Sequence, residues 1–476
     1  MAAPAPAPES RPAHAPALEI DRVTPYLGFL FVLLSTATLF DGFDAAMIGF
    51  AAPDVRASLG IDLAQWGLIN GITRMGVMAS FVFLFFADSV GRRRVMMLTV
   101  IGFTLANGAT ALVTDKIQFT ALQLVARLFL TAEYSLAIIM IGEEFPARLR
   151  GRAIAFLTSL ATVGVMLMAK IQPYVLVPEG APGNPLRDLG QGLVSTAQSA
   201  LGLEVDFASW RALYALGLLP LLLVLVLRVA MRETRRFDAE RERKATAPRR
   251  SFGDLVREAG LPWRSQYRRR SAIVALLWNS VFIVTGPSTV FWVIYAREQL
   301  GLTTHQVGDI IFWGYGGGVA GHFVAGWLID RIGRKHTCAG FYVLAAISIY
   351  LLYHVPSVAG QYLWMVMTVF CFAAANTSTH VYASELFPTE IRATGYGWTT
   401  NLAGRVTEVL TPIFIGLLIA PLGIPGAIAV VAVGPIVGAL LVLRYAPETR
   451  GLTLEQIASE LHESLPAGRK PERADT

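Results

Sequence analysis

Apolar runs of about 20 residues, each long enough to carry a helix across a ~30 Å hydrocarbon core, alternate with short polar connections along the chain. Twelve such spans are predicted, beginning near Tyr26, Gln65, Val95, Gln118, Arg152, Trp210, Ser271, Gln306, Thr337, Gln361, Thr394 and Ile424. Short connections make most consecutive spans antiparallel neighbours. The expected fold class is an all-α membrane protein. Ahead of the first span, residues 1–24 are rich in Ala and Pro and hold no apolar core, so they read as a disordered cytoplasmic tail and not as a signal peptide.

Composition agrees, with 54% hydrophobic and 16% charged residues against the roughly 25% charged of soluble domains. The net charge of +6 sits in the loops, with no basic helix or metal-finger spacing to engage a nucleic acid. Arg92, Arg93 and Arg94, then Arg148, Arg150 and Arg152, then Arg331, Arg334 and Lys335, and finally Arg392 fall in alternate loops, which the positive-inside rule makes cytoplasmic. Both termini are therefore expected inside. Residues 232–270 carry thirteen Lys/Arg against six Asp/Glu and form a cytoplasmic linker; Phe252, Leu255, Val256, Leu261 and Trp263 within it suit either a surface helix or a solvated connection. The organisation predicted is a tail (1–24), a six-helix bundle (25–231), the linker (232–270), a second bundle (271–446) and a cytoplasmic tail (447–476). The outward loop from 175 to 209 has room for a turn or two of helix between Gly190 and Leu203. Cys338 and Cys371 lie in apolar runs and indicate neither a disulfide nor a metal site.

Charges inside the spans carry the chemistry. Asp41 and Asp44 flank Gly42 in the first span, three residues apart and thus on one helical face. Each acid costs roughly 2.5 to 3.5 kcal/mol near a helix centre, so acids persist there as proton sites, cavity groups or structural pairs. The small Gly42 lets a neighbouring helix approach. Glu133, Arg74, Arg127 and Lys170 bring the first half to three acids against three bases, with Lys170 expected to snorkel to the interface. In the second half Arg405 falls near mid-depth. It reads either as a guanidinium clamp for a substrate carboxylate or as the i+3 partner of Glu408. Span seven offers Asn279 and a Gly286–Pro287 break; Trp278, Trp292, Tyr382 and Trp398 are ring-stacking or packing groups, and His322 and His380 are titratable or core groups. Gly314, Gly317, Gly318 and Gly321 make span eight a surface for close helix crossing.

One internal offset recurs. Asp88, Gly91, Arg92 and Arg93 match Asp330, Gly333, Arg334 and Lys335 at a shift of 242, and the same shift takes Glu143 to Glu385 and Arg150 to Arg392. The halves thus read as two copies of a six-helix unit, in which the cassettes and their glutamates close the inner side by charge. Here the chain resembles the major facilitator superfamily. Asp41-Gly42-Phe43-Asp44 is similar to the signature of its aromatic acid:proton symporters, and Asn401 to Pro412 resembles their eleventh span, with Thr407 where Gly is usual. Glu133-Tyr134 falls where carboxylate-transporting relatives carry a Glu and an aromatic, while Arg127 sits one turn beyond the usual Arg position, occupied here by Gln123. Pro447 to Gly451 instead resembles the tail of sugar porters.

The resemblance implies alternating-access symport of a small organic anion, an aromatic acid or another carboxylate, with protons as the coupling ion and no other cofactor. Proton coupling is expected at Asp41, Asp44 and Glu133, and substrate contact at Arg405, Arg127, Asn279, Trp278, Tyr134, His380 and Asn401. A sugar or polyol porter and a non-transporting nutrient sensor are the alternatives. No nucleophile elbow, phosphate loop or metal-ligand spacing suggests an enzyme. A monomer in the inner membrane is expected.

Overall fold

The structure, a computed structural model, describes residues 24–81, 83, 91–177, 184–229, 231–232, 260–265, 267–286, 290–387 and 392–450. The Ala/Pro tail, Asp88, most of the linker, Pro287 and residues 451–476 lie outside the described residues, as do the side chains of Glu143, Arg150 and Arg392. The N-terminal half contributes α1 (Pro25–Phe50), α2 (Ala52–Leu59), α3 (Leu63–Ala79), α4 (Arg92–Thr110), α5 (Lys116–Glu144), α6 (Ala147–Val175), α7 (Pro185–Leu201) and α8 (Ser209–Val229). The C-terminal half contributes α9 (Arg268–Gly286), α10 (Thr304–Ile332), α11 (Arg334–His354), α12 (Val358–Glu385), α13 (Arg392–Asn401) and α14 (Val406–Tyr445).

Side-chain caps begin many of these helices, because the first N–H groups of a helix have no partner of their own. Asp62 accepts from Gln65 N at 2.7 Å to start α3, Asp115 accepts from the amides of Ile117 and Gln118 to start α5, and Thr303 with Gln306 closes a capping box on α10. Seven helices among the described residues are long and apolar enough to cross a membrane. One of them, Gly395–Tyr445, has 51 residues. At 1.5 Å each it would reach about 75 Å, more than twice a bilayer core. Gly423, at φ 68° and ψ 173°, breaks it into two crossings. The 175–209 loop differs from expectation: it holds a full 17-residue helix, α7. Asn184 caps it, Pro185 pre-sets its first turn, and Gly202 ends it in the left-handed region.

Within each half, glycines let helices meet backbone to backbone. A Cβ on Gly42 would lie 1.9 Å from the Ala161 carbonyl oxygen of α6, and one on Gly164 would lie 1.9 Å from that of Leu39. Gly42 and Gly164 are thus two faces of one α1/α6 crossing. The span-eight glycines do the same job in the other half, where Gly314, Gly317, Gly318 and Gly321 of α10 face Met365, Val366, Val369 and Phe370 of α12.

Gly164→Val should therefore push α1 from α6 and lower the melting temperature in detergent, at an overpacking cost of about 1 to 3 kcal/mol. Gly192→Ala on α7, where nothing lies within 4 Å of the added carbon, serves as the neutral control in the same assay.

Candidate functional site

Asp41 and Asp44 face the interior of the N-terminal half. They are only 5% and 7% exposed, and among the described residues none of their four carboxylate oxygens has a hydrogen-bond partner. Asp44 Oδ1 lies beside Gly217 of α8, next to the side-chain amide of Asn107 on α4. The charges acting on Asp41 are Glu133, Arg228 and Asp44, and those acting on Asp44 are Glu133 and Arg127. Arg127 donates to the Ala45 carbonyl at 3.3 Å, on the same helix as both acids. Tyr134 feels the charges of both Asp41 and Arg405.

Glu133, expected to take part in proton coupling, is held by a base on another helix. Its Oε1 accepts from Arg228 Nη2 at 2.5 Å, and Arg228 also donates to the Met96 carbonyl at 3.2 Å; the two side chains are 1% and 0% exposed. A fully enclosed pair ties α5, α8 and α4 together, which is a locking arrangement. The sequence reading missed Arg228. Its signal was a lone base inside the apolar run from Leu216 to Val229, on the same footing as Arg74.

Arg405 also differs from the picture of a free clamp. The eleventh span is interrupted by the tight turn Ala403–Arg405, between α13 and α14. Asn279 of α9 pins this break: its Nδ2 donates to the carbonyls of Ala275 and Ala403, its Oδ1 accepts from Thr407 N, and Thr407 Oγ1 donates to the Asn279 carbonyl, each at 2.8 Å. The amide of Asn279 is thus spent on backbone and not on a ligand, and Thr407 replaces a usual glycine by adding a hydrogen bond. Trp278 is buried by packing, stacked on Phe282 with its Cβ 2.5 Å from where a Cβ on Gly404 would sit.

The break aims Arg405 at Glu408 Oε2, 2.6 Å away, with the Phe282 ring 4.6 Å from the guanidinium. Arg74 of α3 approaches the other oxygen, Oε1, also at 2.6 Å. Two arginines from opposite halves therefore converge on one carboxylate that is 5% exposed. Aromatic groups surround them. His380 Nδ1 meets Tyr396 Oη at 2.5 Å and sets its ring against Trp278 with centroids 4.4 Å apart. The phenols of Tyr134 and Tyr396 feel Arg405, and that of Tyr315 feels Arg74. Asn401, at the end of α13, is partly exposed. His322, farther along α10, pairs with Thr377 at 2.6 Å.

The two halves are also joined at the face that carries α7. Asp54 pairs with Arg297, Arg56 with Glu298 at 2.5 Å, and Lys170 with Asp309, while Gln172 donates to the Thr304 carbonyl at 2.8 Å. Lys170 thus makes an ion pair across the halves, with Phe312 beneath it at 4.6 Å, where snorkelling was expected.

At the opposite face, Gly333 (φ 105°) starts α11, and Glu448 accepts from the amides of Arg334 at 2.9 Å and Lys335 at 3.2 Å. A carboxylate at a helix N-terminus is favoured by the dipole there. Glu385 takes Arg334 by Nε and Nη2 at 3.0 to 3.2 Å and accepts from Thr449 at 2.6 Å, whereas Asp330 is 77% exposed and 3.5 Å from Arg334. The second cassette is therefore held by Glu385 and the Pro447–Arg450 tail more than by Asp330. In the first cassette, Gly91 (φ 113°) starts α4 and Arg93 donates to the Val229 carbonyl at 3.2 Å; Arg92 follows Gly91 on the same turn.

If Glu133 is a lock, Glu133→Gln should strand Arg228 and cost about 3 to 5 kcal/mol, read as a large drop in detergent melting temperature. The Glu133→Gln/Arg228→Gln pair should recover much of that loss. A fully stable Glu133→Gln protein would restore Glu133 to the proton path.

The sugar (and other) transporter family profile matches residues 33–461. Among curated relatives, the niacin transporter of Acinetobacter baylyi is 25% identical over 443 residues, covering 88% of this chain and 93% of that protein. The gallate transporter of Pseudomonas putida is 24% identical over 443 residues, 88% of this chain and 92% of its own. Among solved structures, the inward-open conformation of the Escherichia coli xylose transporter shares the fold with a TM-score of 0.70 at 17% identity, over 90% of this chain and 99% of that one. A transporter profile over nearly all of the helical chain, a transporter fold and multiple apolar helices leave no enzyme reading: this multi-pass membrane protein belongs to the sugar (and other) transporter family of the major facilitator superfamily.

Proposed function

We propose that the chain is a proton-coupled symporter of small aromatic carboxylates, working by alternating access through twelve spans in two six-helix repeats. The observation that carries this reading is the convergence of Arg74 and Arg405, from opposite halves, on a single carboxylate. Guanidinium groups bind carboxylates in a planar fork, and a buried arginine is too costly to retain without an anion. Phe282, Tyr134, Tyr315 and Tyr396 give a substrate ring its surroundings. Niacin and gallate, named for two relatives, are both aromatic acids.

Asp41 and Asp44 are the proton sites in this reading. A buried carboxyl without a partner is tolerable neutral and costly charged, so each would gain and lose a proton as its surroundings change. The two-repeat reading draws support from paired details: Gly60 and Gly301 are both left-handed, and Gly91 and Gly333 share positive φ. With both termini cytoplasmic, the α7 face is external and its ion pairs close the outer side. The protein acts as a monomer in the inner membrane, organised as two bundles (25–231 and 271–446) joined by the linker. A sugar porter is the second reading, supported by the tail that clasps the cassette through Glu448.

Purified protein should gain melting temperature with nicotinate or gallate and show no shift with nicotinamide or xylose; the reverse pattern supports the sugar reading. In proteoliposomes, Asp41→Asn or Asp44→Asn should abolish uphill, pH-driven accumulation while counterflow exchange survives. Normal uphill accumulation by both variants would remove the coupling role.

A further inference from the structure

Glu408 occupies the place a substrate carboxylate would take. Its two oxygens divide between Arg405 and Arg74, each at 2.6 Å, and its side chain is 5% exposed. The charged groups around it are Arg405 beside it on the chain, Arg74 on α3 and Arg127 on α5. An incoming anion meets these arginines already taken. The geometry points to Glu408 as a built-in competitor: a substrate monocarboxylate displaces it from the two guanidiniums, and Glu408 leaves the pair by accepting one proton from the aqueous phase. This rests on the anion reading above, and it adds a proton-linked group at the substrate site, apart from Asp41 and Asp44.

The step balances. Before exchange, two guanidinium cations face one carboxylate anion; afterwards the same cations face the substrate carboxylate, and Glu408 is a neutral acid carrying the added proton. The net charge of the buried site does not change. Without the proton, two carboxylates would have to share the faces of the two guanidiniums that Glu408 fills alone, and two carboxylates sharing one site raise the proton affinity of one of them. The substrate class follows as a monoanion with one planar carboxylate, since one position opens between the two arginines. The break at Ala403–Arg405 fixes Arg405 through Asn279, so Glu408, one turn into α14, is the group that moves.

The test uses the full chain in detergent and benzoate as the probe, with calorimetry in two buffers of different ionisation enthalpy. Wild-type protein should take up close to one proton per benzoate bound, and its Kd should rise about tenfold per pH unit on the alkaline side, as one-proton linkage requires. Glu408→Gln should bind benzoate about tenfold tighter or more near pH 8, with the pH dependence and proton uptake removed. The Gly192→Ala variant on α7, where nothing lies within 4 Å of the added carbon, should keep the wild-type linkage. Binding by wild-type protein without proton uptake, uptake that persists in Glu408→Gln, or loss of binding in a folded Glu408→Gln as complete as in Arg405→Gln each overturns the exchange. Absence of benzoate binding by wild-type protein overturns the anion reading itself. The wild-type proton count needs no variant, so a Glu408→Gln protein that fails to fold leaves the proposal decided by that measurement.

Discussion

A charge inside an apolar bilayer must be answered by another charge, and this molecule is arranged around how each answer is found. Arg228 and Glu133 answer one another in an enclosed pair, both side chains buried. Glu408 answers two arginines at once and belongs to the boundary between the halves. Asp41 and Asp44 are answered by no hydrogen bond among the described residues. On the proposed reading, three degrees of pairing correspond to three kinds of behaviour: fixed, exchangeable and titratable.

The all-helical membrane fold was legible in the sequence because bilayer thickness imposes span length. The role of Gly42 in a close crossing was legible too, from its size alone, although only the structure names Ala161 and Gly164 as the other side. What could not be read was partnership across helices distant in sequence. Arg74 and Glu408 are separated by 334 residues and Glu133 and Arg228 by 95, and no local periodicity connects them. The i+3 pairing of Glu408 with Arg405 was readable from spacing; that a second arginine shares Glu408 was not. The backbone partners of Asn279 were hidden for the same reason: an amide in an apolar span advertises polarity, and which groups it meets depends on where span eleven bends.

Packing and polarity divide the labour. Within each half, small residues bring backbones together at α1/α6 and α10/α12, contacts that are unforgiving of displacement. Between the halves, long flexible charged side chains dominate at the α7 face: Arg56 with Glu298, Asp54 with Arg297, Lys170 with Asp309. Such pairs can part and re-form at modest cost where water reaches them. Close contacts within each half and separable ion pairs between them agree with the proposed alternating access.

At the seam on the α7 face, Asp54 and Arg56 of one half meet Arg297 and Glu298 of the other, so each half presents an acid and a base close together. A slip that brought Arg56 to Arg297 would bring Asp54 to Glu298 at the same time, setting like charges together twice. The mixed signs thus give this seam a register: the halves can part here, but they close again in one alignment only.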